Sequence, residues 1–385
     1  MQQLMGNWED AVNAPPLAPF DDGVIDFFND LSKQLTKVRE YSEVATFGFW
    51  CRKASLLKEK AKYDDLGQRV GKGTVFHSAP SNVPVNFAFS FAAGLLAGNA
   101  NIVRVPGRDF EQVGIIIDAA KKLVSGGHAK LSPYICFVKY PPDKALHDRF
   151  SSVCDVRVVW GGDGTIAELR RSPLKPRATE LTFADRHSIA VIDADEYLKA
   201  SDKQRIAQDF YNDTYFSDQN ACTAPRVVFW IGNGREEAKP IFWESVRALA
   251  RERYDLAPVQ AVGKLAAFYR AAASYPVELA DRGDCFATRV RTESADEGLM
   301  RLGYNSGFFF ERDIEALEDI MPVCGERLQT LVYYGLAKEE ISAFFARCRP
   351  KGVDRAVPMG KSMDFSLVWD GHDLIRQLSR KAVLL

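Results

Sequence analysis

The stretch Gly71–Pro106, GKGTVFHSAPSNVPVNFAFSFAAGLLAGNANIVRVP, decides the fold. Its first part, GKGTVFHSAPSN, reads as a buried strand ending in a Pro/Ser/Asn turn. Val85 to Ala97 follows as a helix closed by Gly98-Asn99, and NIVRVP is a second short strand. Strand, helix and strand within about thirty residues form the crossover unit of a parallel sheet, whose strands need a long return connection. The helix lies in the most apolar window of the chain, VNFAFSFAAGLLAG, yet that window has 14 residues and includes Asn86 and Ser90. It is too short and too polar to span a bilayer, and belongs in a core.

The alternation continues outward. EQVGIIIDAAKKLV (111–124) is helical, YICFVKYP is a strand, 143–151 is helical and VRVVWGG is a strand. This predicts an α/β fold with a doubly wound parallel sheet, which takes its ligands beyond the carboxyl ends of its strands. Upstream, a Pro-rich lead-in precedes an amphipathic helix, with Asp22 as its cap and Ile25, Phe28, Leu31, Leu35 and Val38 as its stripe. Phe47 to Lys62 predicts another helix. A second unit opens near Ser188 with SIAVID. A helix over 204–216, the loop SDQNACTAP (217–225), the strand RVVFWIG, helices at 236–253 and 262–274, and shorter β segments follow. The expected divisions are 1–187, 188–350 and a tail, 351–385.

Of the 385 residues, 46% are hydrophobic and 26% charged, which is a globular balance with ample core. The net charge of -1 and the scatter of basic residues argue against a nucleic-acid partner. MQQLMGNWEDAVNAPP lacks the pattern of a secretory signal. Seven widely spaced cysteines, with no CxxC pair, suit a reducing cytoplasm better than a disulfide framework or a zinc site. Five dispersed histidines suggest no metal centre.

Four places could carry chemistry. Cys222 sits in a polar loop between a helix and a strand, where a thiolate could act as a nucleophile; a small buried hydrophobe is the plainer reading. Asn82, in APSNVPVNF, could donate its amide to an oxyanion, or could simply form the turn. WGGDGT (160–165) could bring backbone N–H groups to a phosphate, or be a tight connection. Arg104, ending a strand, could meet a phosphate or stay a surface charge.

Taken in order, these segments resemble the aldehyde dehydrogenase superfamily from about Gly71 onward. There, Pro-x-Asn-x-Pro precedes a helix, Ala-Gly-Asn and a strand ending in a basic residue; a cofactor-phosphate turn and then a nucleophilic cysteine follow. QNACTAP, WGGDGT and the tail VPMGKSMDFSLVWDGHDLIRQLSR are similar to one branch, the LuxC-type acyl-CoA reductases of bacterial luminescence fatty acid reductase. The resemblance makes 1–187 a nicotinamide cofactor-binding domain with N-terminal helices, 188–350 a catalytic domain carrying the cysteine, and 351–385 a tail returning to pack on the body. It implies Cys222 and Asn82 as catalytic residues, and Ser78, Arg104, Gly161, Gly162, Asp163 and Glu326 as cofactor contacts. The cofactor it implies is NADPH, with NADH admitted, because an arginine at position 104 suits a 2′-phosphate. No metal is implied. The implied substrate is an acyl-CoA or acyl-protein thioester, with fatty acyl groups and an acyl-protein synthetase partner as family expectations. A homo-oligomer is one of the assemblies it allows. Where oxidising relatives carry a water-activating glutamate, ELTFADRHSIAVI places Phe183 by alignment. The competing readings are an aldehyde dehydrogenase that makes an acid, and a non-catalytic member of the fold.

Overall fold

A computed structural model describes residues 1–80, 83–280 and 284–383. The chain divides into two compact units, Met1–Ala184 with Phe365–Leu385, and Asp185–Asp364. The sequence boundaries stood at 187/188 and 350/351. The tail read as one piece is shared, with 351–364 in the second unit and 365–385 in the first.

The first unit holds a six-stranded sheet of β1 (Gln2–Met5), β2 (Thr74–Ser78), β3 (Ala100–Arg104), β4 (Ile135–Lys139), β5 (Val156–Trp160) and β6 (Thr179–Phe183), in the order β1-β4-β3-β2-β5-β6. All neighbours are parallel except β1, which runs antiparallel to β4. The chain winds outward from β2 through β3 and β4, then crosses back to β5, so the topological switch point lies between β2 and β5. The expected crossover helix is present at Asn86–Leu96, with Phe87 and Phe91 packed edge-on against Phe137 of β4. Gly98, at φ +90°, ends it.

Two helices depart from expectation. The amphipathic helix Asp22–Leu35 is capped by Asp21, not Asp22, because the Asp21 carboxylate accepts from the Gly23 and Val24 N–H groups. The helix expected over Phe47–Lys62 is two, Ser42–Trp50 and Lys53–Lys60. The C-terminal segment joins this unit by an antiparallel ladder of Ser379–Lys381 on Arg69–Gly71, and buries Leu367, Leu374, Ile375 and Leu378 in its core.

The second unit holds seven strands: β7 (His187–Asp193), β8 (Pro225–Ile231), β9 (Val277–Leu279), β10 (Thr288–Thr292), β11 (Phe308–Asp313), β12 (Leu328–Tyr334) and β13 (Arg355–Pro358). Their order is β9-β10-β11-β8-β7-β12-β13, with only β9 antiparallel. Alternate residues of β7 and β8 feed separate apolar layers on the two faces. Ile189, Val191, Val227 and Phe229 serve one, and Ala190, Ile192, Val228 and Trp230 the other.

A buried polar chain crosses the first core. Trp160 Nε1 donates to Ser90 Oγ at 2.9 Å, Ser90 Oγ lies 2.7 Å from His77 Nδ1, and His77 Nε2 lies 2.9 Å from Asn101 Oδ1. Asn101 Oδ1 can only accept, so His77 Nε2 carries the proton and Nδ1 accepts from Ser90. Gly94 lets the helix approach this chain, since a Cβ there would fall 2.0 Å from Asn101 Oδ1. Burial holds the His77 pKa down at about 4, against an ordinary 6.5, while the Asn101 bond opposes the fall. The folded state thus keeps the imidazole neutral, and the unfolded chain takes up the proton first as pH drops. The stability this contributes is present above about pH 6.5 and is lost as pH falls toward 4. Between pH 7 and pH 5, His77 should cost the fold about 2 kcal/mol. Denaturant unfolding at the two pH values measures this, and His77→Gln should lose that part of the slope.

Candidate active site

At the switch point of the first unit, a cavity of about 760 Å³ opens beyond the carboxyl ends of the strands. Ser78, Arg104, Gly161 and Gly162 all line it. Asp163 follows at the surface, where it starts the helix Asp163–Leu169, and is not among the lining residues. Lys139, Tyr140 and Thr165 also line the cavity and were not singled out from the sequence. The carboxyl-end rule applied to YICFVKYP would have found the first two.

Arg104 is half-buried, and burial pulls its pKa below the ordinary arginine value. Its Nε donates to the Tyr140 carbonyl at 3.3 Å, and its guanidinium lies 5.0 Å from the Tyr140 ring centroid. Its terminal nitrogens have no hydrogen-bond partner among the described residues. A guanidinium fixed at one edge, with its fork open toward a cavity, is suited to a phosphate.

Trp160 forms another part of the wall, and Phe183 stacks flat on it, with ring centroids 3.7 Å apart and planes 9° from parallel. Glu180, the carboxylate of the ELTF segment, is committed elsewhere. It takes Arg157 Nε at 2.7 Å and Arg170 Nε at 2.8 Å, and Arg157 is itself buried.

Cys222 lies in the second unit, at the amino edge of its sheet, in the turn between the short helical segment Tyr215–Ser217 and β8. It differs from the core thiols. Cys136, Cys154 and Cys324 are buried, and burial pushes each up to about 12, where a thiol is inert. Cys222 is half-buried in polar surroundings. Gln329 Nε2 donates to its sulfur at 3.3 Å, and Ser188 Oγ donates to its carbonyl at 2.7 Å.

The loop holds its shape through two consecutive residues in the left-handed region, Asp218 and Gln219, both at φ 52°. Gln219 is fully buried. Its Nε2 donates to the Pro225 and Phe308 carbonyls at 3.1 and 3.3 Å, and its Oε1 accepts from the Gly307 and Phe308 N–H groups at 2.7 and 3.2 Å. The Asp218 carboxylate accepts from Tyr254, from Ser306 Oγ at 2.7 Å and from Gln260 Nε2 at 3.4 Å. The tail motif reaches the same loop. Asp213 accepts from the N–H groups of Gly360 and Ser362 at 2.6 and 3.0 Å, and Thr223 Oγ1 lies 3.3 Å from Met363 Sδ.

Other expected residues stand apart from this. Asn82 lies outside the described residues. Glu326 is exposed, in the turn before β12, and ion-paired with Lys351 at 2.6 Å. Of the phenylalanines considered for an acyl tunnel, Phe87 and Phe91 are core, and Phe89 packs against Phe47 and Phe365. Only Phe216, 59% exposed beside the cysteine loop, is open to solvent.

The family model described as acyl-CoA reductase (LuxC) matches residues 52–258, more than half of the chain. The chain belongs to the LuxC acyl-CoA reductase family. It is similar to a long-chain acyl-protein thioester reductase of Aliivibrio fischeri, 25% identical over 42% of this chain and 33% of that one. A protein of the same description from Vibrio harveyi is 26% identical over 44% and 34%. The LuxC-family chain thus matches about a third of the length of these curated relatives. Among solved structures it resembles an indole-3-acetaldehyde dehydrogenase complexed with NAD+ (TM-score 0.67, 12% identity, 97% of this chain and 84% of that chain). A lactaldehyde dehydrogenase is equally close in fold (TM-score 0.67, 11% identity, 98% and 89%). The expected aldehyde dehydrogenase-like α/β fold is therefore present.

Gln219→Leu keeps the volume of the side chain but strands two carbonyls and two N–H groups in the interior. It should cost at least about 3 kcal/mol of stability. Thermal unfolding checks the cost, and faster alkylation of a loosened Cys222 loop would report the same loss locally.

Proposed function

We propose that the protein reduces an acyl thioester to an aldehyde through an S-acyl intermediate on Cys222. The observation that carries this reading is the setting of Cys222. It is a half-buried thiol on a rigid polar loop with a donor on its sulfur, in a chain of the LuxC family. The Cys222 thiolate attacks the thioester carbonyl, forming a C–S bond and expelling the carrier thiolate, which takes up a proton. A reduced nicotinamide dinucleotide, when bound, supplies the hydride that reduces the acyl carbonyl. The thiohemiacetal alkoxide so formed on Cys222 then collapses, re-forming the carbonyl, breaking the C–S bond and releasing aldehyde and thiolate. The resemblance assigns the developing oxyanion to the Asn82 side chain and the Cys222 backbone N–H.

The first unit's cavity fits such a dinucleotide in one testable respect: Arg104 offers an unpartnered fork to it. We assign Ser78, Gly161 and Gly162 to the pyrophosphate side and Arg104 to a 2′-phosphate, hence NADPH as the preferred cofactor. Fatty acyl groups, delivered as acyl-CoA or on an acyl-protein supplied by a synthetase partner, are the proposed substrates. No helix among the described residues is long and apolar enough to cross a membrane. A cytoplasmic location fits seven cysteines that are all free.

Hydrolysis would compete with reduction if a base could activate water. Phe183 on Trp160 presents no base, and Glu180 is neutralised by two arginines.

Cys222→Ala should abolish both labelling by a radioactive acyl-CoA and thioester-dependent NADPH oxidation; persistent turnover would refute the covalent route. Arg104→Gln should raise KM for NADPH about tenfold or more and change KM for NADH little. Equal effects on the two cofactors would remove the 2′-phosphate assignment.

A further inference from the structure

The amino edge of the second sheet carries two irregularities that the reaction above does not use. Between β7 and β8 the register slips, since Ser188 pairs with Pro225 but Ile189 with Val227. Arg226 is the extra residue. Between β7 and β12 it slips again, since His187 pairs with Leu328 but Ser188 with Thr330. Gln329 is the extra residue there. The two bulges flank Ser188, whose hydroxyl holds the Cys222 carbonyl. A bulge turns a side chain out of the regular pleat, and bulges recur beside active sites. Gln329 already shows what such re-aiming achieves, for its amide reaches the Cys222 sulfur.

We propose that Arg226 is a positioning residue of the same site, whose guanidinium holds the Cys222 sulfur as the thiolate while Gln329 orients it. Arg226 is partly buried and makes no hydrogen bond or ion pair among the described residues. A desolvated guanidinium without an acid is costly unless an anion answers it. Burial lowers its pKa, and the first group that opposes this is Cys222, followed by Asp185. Other titratable and charged groups at this edge are Arg186, His187, Arg301 and Arg327, with Asp218 in the loop itself. Arg186 is paired with Asp354. His187 is held neutral, its pKa pulled down to about 4 by burial first and then by Arg226, Arg327, Arg186 and Arg301. The charged groups acting on His187 are all cationic, which disfavours an imidazolium there and favours a thiolate nearby, against the carboxylates of Asp185 and Asp218. With Arg226 holding the thiolate, the sulfur needs no histidine base.

The inference rests on Cys222 being the nucleophile. Its test reads the thiol directly, with neither acyl donor nor cofactor, so it can fail while the reductase reading stands, and the reverse. The full chain is alkylated with iodoacetamide across a pH series, and the Cys222 peptide is followed by mass spectrometry, which separates it from the exposed Cys285. The wild-type midpoint should lie below the ordinary thiol value of about 8.5. Arg226→Gln should move the midpoint up by about one pH unit, with alkylation near pH 7 slowed about tenfold, and Arg226→Lys should restore most of the shift. A merely structural role would leave the midpoint in place. Superimposable profiles for wild type and a folded Arg226→Gln, or a lysine variant no better than glutamine, overturn the proposal. If Arg226→Gln does not fold, the wild type decides, because a midpoint at or above about 8.5 is then the overturning result.

Discussion

The carboxamide of Gln219 is the contact on which the geometry of the thiol loop depends. An amide is the one uncharged side-chain group that can donate twice and accept twice, and here it pairs with both the start of β8 and the start of β11. The backbone reaches those partners only by adopting the left-handed conformation at Asp218 and Gln219 in succession. That conformation is unfavourable for side chains with a Cβ, so the buried hydrogen bonds offset its cost. Once the turn is fixed, Cys222 has little freedom, being held by Ser188 at its carbonyl and Gln329 at its sulfur.

The two units use their sheets in opposite ways. In the first, the cavity follows the rule for doubly wound sheets, at the carboxyl ends and at the point where the strand order reverses. In the second, the thiol sits at the amino ends, where a regular pleat would direct side chains only to the two faces of the sheet. The slips at Arg226 and Gln329 break that pleat on both sides of Ser188. The sheet edge thereby supplies polar side chains to a loop that would otherwise meet only backbone.

Much of the first unit was legible because its signals are local. The crossover from Thr74 to Arg104 is written in turn residues and apolar runs, and strand ends pointed to Arg104 and the Gly161–Gly162 turn, while Ser78 came from the family resemblance. Asp21 displaced Asp22 as a cap because one residue of offset separates an acceptor that reaches two N–H groups from one already inside the helix. Around Cys222 the signals are not local. Gln329 stands more than a hundred residues away in sequence, and nothing in LQTLVYY distinguishes it from an ordinary strand residue. Arg226 is the cation nearest Cys222 in the sequence, but the register slip that sets it apart shows only in the strand pairing. The tail was recognisable as a motif without a reason. Its reason is that Asp213 and Thr223 at either end of the loop are tied to Gly360, Ser362 and Met363.

The ELTF segment bears directly on the proposed reduction. Under the proposed reaction, an acyl group on Cys222 is safe only if water finds no base. A carboxylate in such a segment acts as a base only if it is free to take a proton from water. Glu180 is instead the counter-ion of Arg157, whose Nη1 donates to both Ser151 Oγ and the Ser172 carbonyl, at 2.9 and 2.7 Å. Both of its oxygens are engaged, one by Arg157 and the other by Arg170. Trp160 lines the cavity with its ring backed by Phe183, and neither side chain offers water a base. Electrostatic pairing and apolar packing therefore act in the same direction, and the strand that carries them does so as part of the sheet itself.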